Sequence, residues 1–180
     1  SAVSGVGTKL NSIMSIVAAA LISAGATMVG QNYGAGKLER IRQVLYSIMA
    51  VTVSFSLVLG AVILLFPHQV FRLFSQDARV LAMASSYAPV AALCFLGAGL
   101  RSPAIAFVNG IGATSMNYIM GIMDGVVMRI GLAWLLGNAL HLGIDGYWYG
   151  SAIAGFTFFA VGAPYYWSGI WKKRLPSHTA

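Results

Sequence analysis

The 180-residue chain is 58% hydrophobic and only 8% charged, whereas soluble domains carry roughly 25% charged residues. Its net charge of +7 would suit nucleic acid in a soluble protein, but most Lys and Arg residues lie at the ends of apolar runs, where they orient helices in a bilayer. The composition therefore predicts an integral membrane protein and argues against a water-soluble core or a nucleic-acid-binding protein.

The first apolar run predicts a transmembrane helix over about residues 2–29, because about 20 apolar residues cross a hydrocarbon core of roughly 30 Å. The polar stretch from Gly30 to Arg42 follows it. Its glycines predict that the backbone leaves the helix at positive φ, and the amides of Gln31 and Asn32 are expected to cap exposed backbone groups. We interpret this stretch as a turn at the membrane surface.

A second span is predicted over about residues 44–66, and Pro67 ends it because proline cannot continue a helical hydrogen-bond ladder. The segment from Pro67 to Arg79 is predicted as a connecting loop with an amphipathic half. Phe71 and Phe74 are expected to lie on the bilayer surface while the polar residues of the loop face water.

A third span is predicted over about residues 80–109 and carries Arg101 toward its end. Pro89 and Pro103 interrupt it and predict kinks, because each proline leaves a carbonyl without its helical donor. Neighbouring helices or water must satisfy these carbonyls. A bend that lines a cavity and simple helix packing are equally compatible with this pattern.

A fourth span is predicted over about residues 116–136, after the GIGATS turn, and contains Asp124 and Arg129. In an α-helix, residues five apart lie about 140° around the axis from each other, so these side chains are not expected to pair well along one face. Each is expected to find a partner on another helix. Gly121 and Gly125 form a GxxxG pair, which predicts the close approach of another helix beside Asp124.

A fifth span is predicted over about residues 147–171, with Tyr and Trp clusters at both ends that are typical of aromatic belts. The basic tail from Lys172 to Arg174 follows. Four further crossings separate this tail from the turn with Lys37, Arg40 and Arg42, so both are placed on one side of the membrane, which the positive-inside rule makes cytoplasmic. An odd number of spans without a signal peptide is expected of a fragment rather than of a complete protein.

The residue types argue against an enzyme and against a metal site. The P-loop pattern GxxxxGK followed by Ser or Thr does not fit, because five residues separate Gly30 from Gly36 and Leu38 follows Lys37. The chain has only four acidic residues and places no nucleophile beside a base and an orienting acid. Cys94 is the single cysteine, which excludes an internal disulfide and a cysteine-based metal cluster.

Five stretches in this order resemble the multidrug and toxic compound extrusion (MATE) transporter family: ATMVGQNYGAGKLERIR, RLFSQD, FVNGIGATS, MDGVVMRIGLAWLLG and WSGIWKKR. The resemblance covers essentially the whole chain, residues 1–180, and is to the eighth to twelfth helices of a twelve-helix transporter. It implies an all-α, polytopic membrane helix bundle of five transmembrane helices, which form most of the C-terminal lobe. The first seven helices are absent from this sequence.

The resemblance also implies a function. Members of the family are antiporters in which proton or sodium influx drives export of cationic amphipathic compounds by alternating access between two six-helix lobes. The implied partners are small organic cations, the lipid bilayer of the cell membrane and the missing N-terminal helices. Sodium-coupled members use carboxylates on the seventh and tenth helices, but the third span here, which corresponds to the tenth, has no Asp or Glu. The coupling ion therefore stays open, and no other cofactor is implied.

Asp124 is the strongest candidate for a transport residue, because an ionisable group within a span is costly and usually paired or cavity-facing. A structural ion pair with Arg129 or Arg101 is the alternative.

The signature turn identifies the family and the topology rather than carrying chemistry. Two other functions stay open: a lipid-linked saccharide flippase of the same superfamily, and a membrane scaffold without transport activity. The signature residues are Gly30, Gln31, Asn32, Gly34, Gly36 and Arg40.

Overall fold

The fold is all-α throughout the described part of the chain, as predicted. The computed structural model describes residues 2–139, 141 and 143–174. In chain order the α-helices are α1 (Ala2–Gly34), α2 (Leu38–Leu65), α3 (Pro67–Arg72), α4 (Ala78–Ala82), α5 (Ala84–Gly110), α6 (Thr114–Ile122), α7 (Arg129–Trp134), α8 (Gly143–Ala154) and α9 (Thr157–Ser168). π-Helical segments follow α6 (Met123–Met128) and α7 (Leu135–Ala139), and a 3-10 turn (Ile170–Arg174) follows α9.

Four helical stretches among the described residues are long and apolar enough to cross a membrane: Gly5–Gly34, Leu38–Leu65, Ala84–Gly110 and Thr114–Asn138. They correspond to the first four predicted spans. The clearest difference is at the start of the second span, because the polar residues before position 44 continue α2 instead of lying in a loop.

The region predicted as a fifth span is divided into two helices of 12 residues each, α8 and α9. Gly155 and Phe156 form the turn between them. The Thr157 hydroxyl donates to the carbonyl oxygen of Ala154 at 2.7 Å, which supplies a hydrogen bond at the break. Each helix alone is shorter than the roughly 20 residues that a crossing needs, so one uninterrupted span is not what the structure shows here.

Helix α5 lies at the centre of the bundle, and glycine lets its neighbours come close. A Cβ atom at Gly99 would clash with the Ser56 side chain of α2. A Cβ atom at Gly110 would lie 2.6 Å from Cβ of Val29 in α1, well inside the closest contact that real atoms adopt. These glycines therefore set the distance from α5 to α2 and to α1, as small residues do in membrane helix pairs.

Thr52 supplies the hydrogen bond that Pro103 removes. Proline has no N–H, so the carbonyl of Gly99, four residues earlier in α5, lacks its helical donor. The Thr52 hydroxyl of α2 lies 2.8 Å from that carbonyl oxygen and also 2.8 Å from the carbonyl oxygen of Ile48, so its single proton is shared between the two acceptors. Both Thr52 and Pro103 are buried. A neighbouring helix therefore satisfies the carbonyl, which is one of the two possibilities that the sequence left open.

The turn predicted from Gly30 to Arg42 is confined to residues 35–37, so the predicted boundaries were wrong. Helix α1 continues to Gly34, and Gly30 lies inside it. A Cβ atom at Gly30 would be 3.1 Å from the carbonyl oxygen of Gly110 in α5. Gly30 therefore serves helix packing rather than the turn.

Gly36 ends α1 in a Schellman motif. It has a φ of 68°, and its N–H donates to the carbonyl oxygen of Tyr33 at 3.1 Å. The N–H of Lys37 donates to the carbonyl oxygen of Asn32 at 2.8 Å. Gly112, also with a φ of 68°, ends α5 through the same pair of bonds at 3.1 and 3.0 Å. The α1–α2 and α5–α6 connections are therefore built alike.

Phe71 is buried in the bundle, so its predicted place on the bilayer surface was wrong. It lies in the short helix α3 and has 0% exposure. Its ring meets the ring of Tyr87 edge-on at 6.1 Å between centroids. Phe74 is half-buried and packs against the same cluster. The predicted loop thus contributes side chains to the core.

The α1–α2 turn and the C-terminal segment meet at one end of the bundle. The Tyr33 hydroxyl donates to the carbonyl oxygen of Trp171 at 3.1 Å. Trp171 is only 2% exposed, because its ring packs edge-on against Phe107 at 5.1 Å. It is therefore a core residue and not part of an exposed aromatic belt. We call the end that carries residues 35–37 and 170–174 the tail end.

Candidate functional site

Asp124 and Arg129 form an ion pair, contrary to the expectation from their spacing. The segment Met123–Met128 is π-helical, and the backbone N–H of Arg129 donates to the carbonyl oxygen of Asp124. A π-helix bonds each residue to the one five positions on, so it brings residues five apart together. The Nη2 atom of Arg129 lies 3.5 Å from Oδ2 of Asp124. The expectation was wrong because it assumed regular α-helical geometry.

Asp124 is buried, with 8% exposure, and half of its carboxylate has no partner. Its Oδ1 atom is enclosed and accepts no hydrogen bond from any described residue. Its Oδ2 atom has only the 3.5 Å contact with Arg129, which is at the outer limit of a hydrogen bond. Buried carboxylate oxygens in proteins are normally satisfied, so this one has capacity for a further donor or a proton.

Arg101 reaches toward the same place from α5. Its guanidinium carbon lies 4.8 Å from the centre of the Phe158 ring in α9, a cation–π distance. Both Asp124 and Arg129 act on Arg101 electrostatically. We call Arg101, Asp124 and Arg129 the charge cluster. It contains one carboxylate and two guanidinium groups, and nowhere in the described residues do three His, Cys, Asp or Glu side chains come together.

The charge cluster lies near the middle of the membrane-spanning helices. Arg101 is nine residues before the end of α5, and Asp124 is ten residues after the start of α6. Both of those helix ends belong to the tail end, so the cluster is roughly 15 Å from it along the helices. A hydrocarbon core is about 30 Å thick, so these charges lie where an ionisable side chain is most costly.

Gly121 and Gly125 do not bring another described helix close to Asp124. A Cβ atom at either position would meet nothing within 4 Å in this part of the chain. Only 11% of an 18-residue window within Thr114–Asn138 is buried. The expected close helix contact is therefore not met by the described residues, and this face is open.

The signature residues lie at the tail end, apart from the charge cluster. The Asn32 side-chain amide donates to the carbonyl oxygen of Met28 at 2.7 Å, within α1. Gln31 and Arg40 are exposed. The structure thus places these residues in a helix end and a turn, while Asp124, with its two arginines, forms a separate site.

Two grooves run along the tail-end half of the bundle. The Arg42 groove lies between α2, α5 and α9 and has a volume of about 110 Å³. The Arg40 groove lies between α1 and α2 and has a volume of about 460 Å³. The Arg42 groove is lined by Arg42, Leu45, Tyr46, Met49, Pro103, Ala104, Phe107, Phe159, Gly162, Ala163, Tyr166 and Trp167.

Thr52 and Ser56 were not singled out from the sequence, although they join α2 to α5. The Ser56 hydroxyl lies 2.8 Å from the carbonyl oxygen of Phe95, beside the bond from Thr52 to Gly99. A signal was present, because Thr52 and Ser56 are four residues apart and therefore lie on the same face of α2.

The family model described as MatE matches residues 1–135 of the chain. A probable multidrug resistance protein NorM of Rhizobium meliloti is 25% identical over 151 residues, which cover 81% of this chain and 32% of that protein. A probable multidrug resistance protein NorM of Thermotoga maritima is 24% identical over 170 residues, which cover 94% of this chain and 36% of that protein. The chain thus spans about a third of the length of these curated relatives.

Two solved structures share the fold. The crystal structure of a eukaryotic MATE transporter aligns with 94% of this chain and 39% of its own, with a TM-score of 0.73 and 21% identity. An inward-facing multidrug resistance MATE family transporter of the MOP superfamily aligns with 97% of this chain and 41% of its own, with a TM-score of 0.77 and 22% identity. The helices are therefore arranged as in part of a MATE transporter.

Proposed function

The chain belongs to the MatE family of transporters, and we propose that it is part of a secondary active antiporter that exports cationic amphipathic compounds across the cell membrane. The names of its relatives as multidrug resistance proteins support this function. Because the chain spans about a third of their length, we infer that N-terminal helices outside this sequence complete the transporter.

The proposal for ion coupling rests on Asp124. It is a buried carboxylate near the middle of the membrane, and its enclosed Oδ1 atom has no described partner. An antiporter needs a group that binds and releases the driving ion. Ionisable groups at this depth usually belong to ion pathways or proton relays.

Of the two possible coupling ions, the proton fits the charge cluster better. Arg129 places one positive charge 3.5 Å from the carboxylate of Asp124, and Arg101 of α5 is a second one within electrostatic range of it. A sodium ion would add a third and would need several oxygen ligands, whereas a proton needs a single lone pair of Oδ1. We therefore propose proton coupling at Asp124.

The π-helical segment Met123–Met128 is the part of the structure whose conformation could change when a proton binds Asp124. A proton on Asp124 would remove the negative charge that Arg129 and Arg101 face, which leaves the two guanidinium groups repelling each other. Separation of Arg129 from Asp124 would remove one interaction that stabilises the π-helical register of Met123–Met128. Binding of the ion would thus bias the shape of this helix, which is what coupling requires.

We further propose that the tail end faces the cytoplasm. Among the described basic residues, Lys37, Arg40, Arg42, Lys172 and Lys173 lie at the tail end, whereas Arg72 and Arg79 lie in the connection from α2 to α5 at the other end and Lys9 lies in the half of α1 nearer that end. This asymmetry agrees with the positive-inside rule.

Dye transport in everted membrane vesicles tests the proposed function. The vesicles should come from cells that express the complete reading frame containing this chain, and an ethidium-like cation should be followed by fluorescence. We expect a proton gradient to drive uptake of the dye, and a protonophore to abolish it. Movement of a lipid-linked saccharide without dye uptake would favour a flippase, and absence of both activities would favour a scaffold.

A further inference from the structure

We propose that the Arg42 groove binds an anionic phospholipid, with the lipid phosphate at Arg42 and one acyl chain along the apolar walls. This proposal concerns a different surface from the charge cluster and does not depend on transport. Its occupant would be a lipid of the leaflet at the tail end.

The groove has the form of a channel for a hydrocarbon chain. Along α2 it extends from Arg42 to Met49, and along α9 from Trp167 to Phe159, which are lengths of roughly 10–12 Å. Helix α5 forms its floor. A Cβ atom at Gly162 of α9 would lie 2.7 Å from Cβ of Ala104, so α9 sits directly on α5 and closes the floor. All the side chains below the mouth are apolar or aromatic.

Arg42 is the charged side chain of this groove, and it lies at the mouth. Its guanidinium carbon is 5.5 Å from the centre of the Tyr46 ring. Its contact with Glu39 is 3.8 Å long, and both side chains are more than half exposed, so this pair is weak. The guanidinium therefore keeps donors for a phosphate, which arginine can bind through two parallel hydrogen bonds.

Aromatic side chains place the mouth at the level of the lipid headgroups. Trp167 is 73% exposed and Tyr46 is 53% exposed, and both line the groove close to Arg42. Tyr and Trp with one apolar and one polar side concentrate at the membrane–water interface. Met49 and Phe159, at the other end of the groove, then lie at the depth of the acyl chains.

Charge at the tail end selects an anionic occupant. The described basic side chains outnumber the acidic ones there, since Glu39 is accompanied by Lys37, Arg40, Lys172 and Lys173 besides Arg42. An organic cation would be repelled by this surface. The acyl chain of a zwitterionic lipid would fit the apolar walls of the groove, but its headgroup would gain little binding free energy from the positive charge of the tail end. For an anionic lipid, each basic residue near the headgroup contributes to binding.

Native mass spectrometry of the complete transporter that contains this chain, released from nanodiscs, tests the proposal. The nanodiscs should contain phosphatidylcholine with phosphatidylglycerol as the anionic probe. We expect phosphatidylglycerol to be retained in preference to phosphatidylcholine. Arg42→Gln should reduce its retention about fivefold, the change expected for the loss of one basic residue at an anionic headgroup.

Arg40→Gln is the matched control, because Arg40 lies in the same turn of α2 but lines the other groove. Retention of phosphatidylglycerol should fall clearly less in this variant than in Arg42→Gln, because Arg40 contributes only to the general charge of the tail end. An equal loss in Arg40→Gln and Arg42→Gln would reduce the effect to general surface charge and overturn the proposal, as would retention of both lipids alike by the unmodified chain.

A second pair of variants tests the walls of the groove and does not change the charge. Ala163→Phe would fill the groove, whereas Ala160→Phe adds the same bulk at an exposed position of α9 outside it. Retention of phosphatidylglycerol should fall severalfold in Ala163→Phe only. Unchanged retention in a correctly folded Ala163→Phe protein, judged by its elution and helical circular dichroism, would contradict binding in this groove.

Discussion

The backbone N–H of Arg129 donates to the carbonyl oxygen of Asp124, and the side chains of the same two residues meet at 3.5 Å. The π-helical turn and the ion pair therefore occur at the same place. An ion pair of this length with a half-exposed arginine does not hold the carboxylate tightly, and Oδ1 stays unpartnered. This arrangement suits a carboxylate that changes its charge state during a transport cycle.

A double-mutant cycle measures whether the two residues act as one unit. Arg129→Gln removes the one side-chain partner that Asp124 has within hydrogen-bonding distance among the described residues. We expect Asp124→Asn and Arg129→Gln each to reduce proton-driven dye transport, and the double variant to lose no more than Asp124→Asn alone. Fully additive losses would mean that the two side chains act independently.

Thr52→Val tests the hydrogen bond from α2 to the carbonyl that Pro103 leaves free. Valine has the same shape but no hydroxyl, so the buried Gly99 carbonyl would lose its donor. We expect a loss of about 1 kcal/mol in the free energy of unfolding, measured as a lower midpoint of heat unfolding in detergent. The control is Thr27→Val, because the exposed Thr27 hydroxyl bonds only within α1. Equal midpoints for the two variants would remove the role assigned to Thr52.

Two glycine substitutions distinguish a packed helix face from an open one. Gly99→Ala should lower the unfolding midpoint, because its Cβ atom would press against Ser56 and the Thr52 carbonyl. Gly125→Ala meets open space in the described structure and should leave the midpoint unchanged or raise it, since alanine favours a helix over glycine by about 1 kcal/mol. Destabilisation by Gly125→Ala in the full transporter would show that another helix packs there.

Cysteine labelling tests the orientation of the tail end. In a Cys94→Ala background, Ala35→Cys places a thiol in the exposed turn between α1 and α2, and Gln76→Cys places one in the exposed connection at the other end. We expect a membrane-impermeant maleimide to label Gln76→Cys in intact spheroplasts and to label Ala35→Cys only after permeabilisation. The reverse pattern would place the tail end outside.

Resemblance and hydropathy predicted the family and the all-helical fold, but not which side chains are buried. Phe71 and Trp171 were assigned to the membrane surface, yet both lie in the core. In a membrane helix the faces toward lipid and toward protein are both apolar, so hydrophobicity alone does not separate them.

Intramembrane charge singled out Asp124, Arg129 and Arg101 as candidates, but the sequence did not predict that Asp124 and Arg129 pair. The pairing of Asp124 with Arg129 depends on a π-helical register, and a helix-period argument assumes that register to be α-helical. Helix α8 packs very tightly on α7 next to this segment, since a Cβ atom at Gly150 would lie 2.7 Å from the backbone nitrogen of Ala133. Such tertiary contacts cannot be obtained from local sequence.

The pH dependence of dye transport by Asp124→Asn tests the central claim most directly. Everted vesicles with equal amounts of the complete transporter should be compared across a series of proton gradients. The control is Asp145→Asn, because Asp145 is an exposed acid in the first turn of α8. We predict that Asp124→Asn lowers gradient-driven transport at least about fivefold and removes its response to pH, while Asp145→Asn keeps both. Wild-type transport and wild-type pH response in Asp124→Asn would contradict the assignment of Asp124 as the coupling carboxylate.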